Sequence, residues 1–427
     1  KIVPYMLLIY CIFGVLLFKG FFIDLGMPTG IKYLLDVFNV LLFIIAIKKT
    51  NEIGKKFKLI ILAYLFFCII GTFSMIVNIN NWGSNIIYWI LDCRLFLQFP
   101  IFLISCGILL NEKDIENIFD GLLLFQILNT LLIIYQYFTV EVQDYWMRGD
   151  YLNGFFGTSR GGNMYVNILL LAVTLIVYDR WQHKKMKLQY ALFFWASCLL
   201  DATLIELKIY YVEVVFCFFI FFFMEGHALK IERKKLLTFL IGITIGVITI
   251  PIMISLLYKL YPSMEGSMSI SNIISIASSQ EGYTSSGDLN RLNAIRQIYT
   301  KIFNKDIFDG LIGIGLGNAY TGGQMSLFAK MYEATHYSYF QSAYVFSETG
   351  ILGLFLYVIT FIIIFAYKKK SRYSTMARIM AIMAIILIVY DEVLRTEGAY
   401  IIYFILSLAF ADRRLDNARK ELSICAE

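Results

Sequence analysis

Residues 59–77 read LIILAYLFFCIIGTFSMIV, nineteen positions without a charged side chain. In a helix such a run covers about 28 Å, close to the roughly 30 Å hydrocarbon core of a bilayer. Lys55, Lys56 and Lys58 lead into it and Asn78, Asn80 and Asn81 follow it, so polar residues bound it at both ends. Comparable runs fall near 2–18, 29–47, 85–110, 118–138, 163–178, 189–204, 209–224, 237–259, 349–367, 378–390 and 399–411. Together they predict an all-α, polytopic integral membrane protein of about twelve transmembrane helices. The eleventh and twelfth runs are short and need flanking residues to complete them. The turn from Glu206 to Lys208 is tight, which suggests a broken or tilted seventh or eighth span.

Composition points the same way. Of 427 residues, 59% are hydrophobic and 16% charged, against about 25% charged in soluble domains. A soluble fold has too little interior to hide that much apolar surface, so a soluble globular enzyme is excluded. The formal charge of +6 is spread over short loops and gives no basis for nucleic-acid binding. The cysteines (Cys11, Cys68, Cys93, Cys106, Cys198, Cys217, Cys425) form no CxxC pair, and His183, His227 and His336 are scattered. No disulfide framework, metal site or cofactor is expected. The chain begins at Lys1, and its first apolar run would serve as a signal-anchor.

Positive charge marks alternate loops. Lys48, Lys49, Lys55, Lys56 and Lys58 follow the second run; Arg180, Lys184, Lys185 and Lys187 the sixth; Lys230, Arg233, Lys234 and Lys235 the eighth; Lys368, Lys369, Lys370, Arg372 and Arg378 the tenth; Arg413, Arg414, Arg419 and Lys420 the last. All five fall on one side if both termini are cytoplasmic, because positive loops stay inside. Two long loops then lie outside, 139–162 and 259–348. The chain divides accordingly into spans one to nine with the smaller loop (1–258), the large loop (259–348), and the last three spans with a cytoplasmic tail (349–427). No repeat or likeness between halves is evident. Long loops without regular structure are usually functional or disordered.

Within the large loop, residues 289–303 read as a helix capped by Ser286 or Asp288. Leu292, Ile295, Ile298, Tyr299 and Ile302 share one face, and Arg291 falls inside that apolar arc. An arginine aimed at the packed side needs an anion. The anion is either a local carboxylate such as Asp288 or a substrate group. Three further stretches bear on chemistry: Arg148-Gly-Asp-Tyr-Leu-Asn-Gly154-Phe-Phe-Gly157-Thr-Ser-Arg160; Gly313-Ile-Gly315-Leu-Gly317-Asn318; and a run from His336 through Glu348 to Gly350-Ile-Leu-Gly353. The glycine run lacks the strand and the Lys-Ser/Thr of a phosphate loop, and reads instead as a tight, close-packed turn.

The order of these elements resembles the O-antigen ligase and polymerase superfamily of polytopic membrane glycosyltransferases. In that family a large outer loop carries an Arg-containing helix, a G-x-G-x-G-N run, a His, and G-x-x-G opening a late span. Arg291, Gly313 to Asn318, His336 and Gly350 to Gly353 match in that order, and Arg148 with Gly154 is similar to the family's R-x-x-G-x-F segment. Two departures stand out. Tyr337 follows the His where many relatives have Asn or Ser. The ligase-like T-x-S-R is replaced by Thr203-Leu-Ile-Glu206-Leu-Lys208, with Lys208 a substitute for the arginine.

The resemblance implies glycan transfer from undecaprenyl diphosphate at the outer face of a bacterial inner membrane. The partners would be an undecaprenyl-diphosphate-linked oligosaccharide, the lipid bilayer and a chain-length regulator, with no nucleic acid and no nucleotide sugar. The departing diphosphate needs stabilising, which suits guanidinium groups. Arg291, Arg160, Arg148, Lys208 and Arg94 are the diphosphate-binding candidates. His336 is the candidate general base, since imidazole titrates near neutral pH; the alternative is a structural helix cap. Glu348 would orient His336 or act in its place. Charges within the apolar runs (Asp92, Arg94, Asp201, Glu213, Asp391, Glu392, Arg395) mark either a pathway or internal structure. Tyr145, Trp146, Tyr151, Tyr283, Tyr332 and Tyr339 suit sugar stacking or interface anchoring. Absence of T-x-S-R favours a polymerase over a ligase; a transporter or flippase is the rival of another class.

Overall fold

The computed structural model describes residues 2–17, 20, 24–28, 30, 33–49, 55–141, 145–159, 161–225, 251–262, 265, 288–322, 325–367 and 372–410. Helices dominate these residues, and no strand occurs among them. The main elements are α1 (Ile2–Leu16), α2 (Tyr33–Lys49), α3 (Lys55–Val77), α4 (Ile86–Leu109), α5 (Glu112–Thr139), α6 (Asn163–Gln182), α7 (Leu188–Leu204) and α8 (Lys208–Glu225). They continue with α9 (Pro251–Leu260), α10 (Ile307–Ile312), α11 (Leu327–Tyr332), α12 (Gln341–Phe365), α13 (Arg372–Tyr390) and α14 (Ala399–Phe410).

Six described helices are long and apolar enough to cross a bilayer: α3, α4, α5, α6, α12 and α13. That is the make-up of a multi-pass membrane protein. The apolar helices Ile2–Gly14, α7, α9 and α14 are shorter, at 10–17 residues. Residues 237–250 of the ninth predicted span, the basic groups Lys230 to Lys235, Lys368 to Lys370 and Arg413 to Lys420, the Ser-rich stretch 267–279, Tyr283 and the proposed cap Ser286 lie outside the described residues.

Two helices sit innermost. α6 is almost wholly buried, and α14 is buried along its whole length. Aromatic rings fill the space around α14: Phe99 stacks on Tyr403 at 5.3 Å, Phe102 meets Tyr400 at 4.8 Å, and Tyr64 hydrogen-bonds Tyr403 at 3.1 Å. Outer helices such as α3 instead show Leu62, Phe66, Ile69 and Phe73 exposed, the pattern of a lipid-facing surface. At one end of the bundle, Arg180 of α6 pairs with Glu116 and Asp120 of α5, and Tyr373 of α13 donates to Glu116 at 2.8 Å. Asn111 and Asp114 form a reciprocal cap that starts α5 beside that cluster.

Three predicted starts move by six residues or more, the first that of α5, at Glu112 rather than 118. α13 starts at Arg372 rather than at 378. α12 starts at Gln341, eight residues before the predicted tenth span, and is broken at Gly350, whose φ is +61°. The half-helix 341–349 carries Gln341, Ser342, Ser347, Glu348 and Thr349, so hydropathy alone reads it as loop. It is buried by protein rather than by lipid, which places Glu348 inside a helix.

Candidate functional site

The glycine run occupies the break in α12. Gly313, Gly315 and Gly317 have φ of +72°, +104° and +85°. A Cβ at Gly315 would lie 2.2 Å from the Met75 Cα, and one at Gly317 would lie 2.5 Å from the Trp89 amide nitrogen. Only glycine lets this backbone press against both α3 and α4. Its polar groups are accounted for one by one, as a buried irregular segment requires. Ile314 N–H donates to Ser347 O at 2.9 Å, Gly315 N–H to Glu348 O at 2.8 Å, and Leu316 N–H to Gly71 O at 3.0 Å. Ser74 Oγ donates to Gly313 O at 2.5 Å, and Tyr337 OH to Ala319 O at 2.6 Å.

Glu348 belongs to that turn. Its Oε1 accepts from Gly317 N–H at 3.0 Å and Ala319 N–H at 3.1 Å, and the residue is fully buried. Asp92 Oδ2 also accepts from Gly317 at 3.2 Å, while Tyr344 OH donates to Asp92 Oδ1 at 2.8 Å. The expectation that Glu348 orients His336 is therefore corrected. The carboxylate beside the imidazole is Asp288.

His336 Nδ1 lies 3.0 Å from Asp288 Oδ1. The pair is brought together by Leu289 N–H, which donates to Thr335 O at 3.0 Å. His336 itself has φ +53° and joins two short turns, Glu333–Thr335 and Tyr337–Tyr339. A neutral imidazole facing a carboxylate through Nδ1 donates Nδ1–H, so Nε2 keeps the basic lone pair. The imidazole is 41% exposed and Asp288 only 13%. A half-open base with a largely buried orienting carboxylate results. The exposed Tyr339 ring sits 4.8 Å from the imidazole.

Arg291 is three residues from Asp288. Asn290 Oδ1 accepts from Leu292 and Asn293 N–H, each at 3.2 Å, and so caps the turn that holds Arg291. Helix follows as Ala294–Gln297 and then a wider turn, Ile298–Ile302. The Arg291 Nε donates to Tyr390 O at 2.9 Å, and its guanidinium lies 4.4 Å from the Tyr390 ring centre and 5.6 Å from that of Phe340. Phe340 is four residues from His336, so Arg291 and His336 share one corner of the structure. Asp391 stands in the same corner. Burial pushes its carboxyl up to about 7, and the Arg291 charge draws it down. Arg395 closes the corner, donating to Ser338 O and Glu392, with its guanidinium 3.9 Å from the centre of the Tyr344 ring.

The other cations sit elsewhere. Arg148 donates to Tyr137 O and stacks at 4.9 Å on the Tyr137 ring. Next to it, Gly149 N–H donates to Glu206 Oε1 at 3.0 Å, joining the 145–151 turn to the hairpin before α8. Burial pushes Glu206 up to about 7; the Gly149 N–H and Lys208 lower it and Asp150 raises it. Lys208 thus lies between the charges of Glu206 and Asp150, which offset its own. Arg94 donates to Asp36 Oδ2 at 2.9 Å and lies 5.0 Å from the centre of the Tyr33 ring, between α4 and α2. Arg160 and the Tyr145 and Trp146 side chains lie outside the described residues. The structure thus brings together Arg291 with His336, and Arg148 with Lys208. It sets Arg94 and Glu348 apart from both pairs.

Comparison of the chain with family models, with curated proteins and with solved structures finds no match. Sequence reasoning gave Asp288 the role of a helix cap or arginine partner, and missed its pairing with a histidine 48 positions away. It also left Asp391 and Arg395 outside the site. A carboxylate just after an apolar run was the available signal for Asp391.

Proposed function

We propose that the chain is a membrane glycosyltransferase that polymerises undecaprenyl-diphosphate-linked oligosaccharide repeats into an O-antigen or capsular polysaccharide. It would work at the outer face of a bacterial inner membrane, with about twelve spans, a large extracytoplasmic loop and both termini cytoplasmic. The observation that carries the reading is that Arg291 stands three residues from the Asp288 that engages His336 Nδ1 and packs near Phe340, four residues from His336. The motif order of the large loop supports it.

The step divides among these groups as follows. An acceptor hydroxyl oxygen attacks the anomeric carbon, and the bond from that carbon to the diphosphate oxygen breaks with its electron pair leaving on the diphosphate. His336 Nε2 takes the hydroxyl proton. Arg291 offers the departing diphosphate fixed, planar donors, with a stabilisation that grows as charge develops. Attack from the face opposite the leaving group inverts the anomeric carbon. The imidazolium formed is stabilised by Asp288. Arg148 and Lys208, tied together through Gly149 and Glu206, are secondary diphosphate contacts; Arg94 is the outlying one.

A ligase would use the same donor and differ only in its acceptor, a lipid A core. One observation favours a transporter, the break of α12 at Gly350, since transporters use broken helices to bind substrates and ions. Here the freed carbonyls of Ser347 and Glu348 already accept from Ile314 and Gly315, so the break is filled by the protein itself. The test is reconstitution in detergent with one defined lipid-linked repeat unit. Polymerase activity gives a ladder of lengthened products; intact protein that lengthens nothing, with or without a core acceptor, refutes transferase activity.

A further inference from the structure

Helix α10 carries a face that the rest of the protein leaves bare. Ile307 is 71% exposed, and Phe308 and Leu311 are exposed beside it. The remainder of the helix is committed. Asp306 caps it through the Phe308 and Asp309 N–H groups, and Gly310 lies against the Tyr299 ring. Its last turn runs into Gly313, whose carbonyl accepts from Ser74.

Those bonds fix a depth. The apolar part of α3, Phe57–Val77, has 21 residues and is about 31 Å long, a full hydrocarbon thickness. Ser74 lies three residues before Val77 and Gly71 six. At 1.5 Å per residue, Gly313 then sits roughly 4–5 Å, and Leu316 about 9 Å, below the end of the span. Asp309 of α10 hydrogen-bonds Asn78, the first residue past the span, so α10 lies at that end and descends through Gly313 into it. The spans it packs on are bare there too, with Phe73 and Ile76 exposed on α3 and Ile351, Leu352 and Phe355 exposed on α12. Leu311 abuts Gly350 through its backbone, so α10 lies directly beside the start of the exposed α12 surface.

We propose that α10 and the glycine run form a re-entrant element seated within one leaflet, with Ile307, Phe308 and Leu311 against lipid acyl chains. The occupant is the bilayer rather than a second protein, because the face adjoins the exposed surfaces of two spans at the end of the hydrocarbon layer. Irregular backbone at that depth is tolerated when its polar groups are met by protein, and each N–H from Gly313 to Ala319 has a protein acceptor. The loop bearing Arg291 and His336 is thereby pinned to the membrane surface, whichever transfer it performs.

The test is photo-crosslinking of the full-length protein in phosphatidylcholine nanodiscs. p-Benzoylphenylalanine is placed at Phe308, at Leu311, at Phe355 as a lipid-facing reference and at Lys301 as an exposed polar reference. Phe308 and Leu311 should give phospholipid adducts by mass, at a yield within about twofold of Phe355 and well above Lys301. Adducts at Phe355 without adducts at Phe308 or Leu311 would overturn the proposal. So would crosslinking of those two positions to another protein when the same variants are irradiated in native membranes. The aromatic replacement at Phe308 is conservative, so loss of folding does not blur the outcome.

Discussion

Replacing Glu348 by alanine removes the acceptor that holds the glycine turn in the break of α12. Two N–H groups depend on Glu348 Oε1, those of Gly317 at 3.0 Å and Ala319 at 3.1 Å. Gly317 keeps Asp92 Oδ2 at 3.2 Å, whereas Ala319 loses its acceptor. A buried N–H left without a partner costs about 1–3 kcal/mol, and the void left by the side chain adds roughly 1 kcal/mol. The sum of about 2–4 kcal/mol lowers the apparent melting midpoint in detergent by on the order of 2–5 °C. Glu348→Gln keeps an oxygen acceptor at the same position and should stay within about 1 kcal/mol of wild type. Intrinsic-fluorescence melting of the purified variants reads the difference. Alanine and wild-type proteins melting together would refute the structural role. A glutamine variant that melts normally yet is inactive would return Glu348 to the catalytic machinery.

His336→Ala should abolish chain lengthening while the protein still folds and expresses; normal product lengths would remove it from the mechanism. Asp288→Asn puts an amide opposite Nδ1 and loses control of the tautomer. It should lower kcat at least tenfold with KM little changed, within the roughly 10²–10⁴ range of general base catalysis, and Asp288→Glu should recover part of the loss. Glu206 predicts a pH effect. Its folded value is raised to about 7 from an ordinary 4.5, so its stabilising share is complete below 4.5 and is lost as pH rises through 7. Hydrogen exchange at residues 149–152 should therefore quicken between pH 5 and pH 8. Glu206→Gln should flatten that dependence, and an unchanged slope in the variant would assign it to another group.

How much of this could be read in the sequence differs from element to element. Long apolar runs such as 59–77 announce helices because lipid-facing and core-facing sides are both apolar. The half-helix 341–349 carried no such mark. Its Tyr344 and Glu348 are buried against Asp92, Gly317 and Arg395, partners scattered over 300 positions. The glycine run was legible as a close-packed turn, since alternating glycines leave room for backbone contact; where it docks was not. Arg291 and His336 were singled out by residue type and motif order. The partner of His336 was misassigned because Glu348 is nearer in sequence, whereas the bond from Leu289 to Thr335 brings Asp288 alongside. Lys208 was singled out as a phosphate ligand by its place in the motif, and its neighbours Glu206 and Asp150 were not foreseen.

Counting polyprenyl diphosphate released per glycosidic bond formed tests the central claim most directly. In purified, reconstituted protein supplied with a defined lipid-linked repeat, one carrier should be released for each linkage. Arg291→Ala should bring both counts down together by two or more orders of magnitude, the scale of losing one pre-organised charged donor to a developing anion. Lengthening and release at wild-type rates in that variant would contradict it.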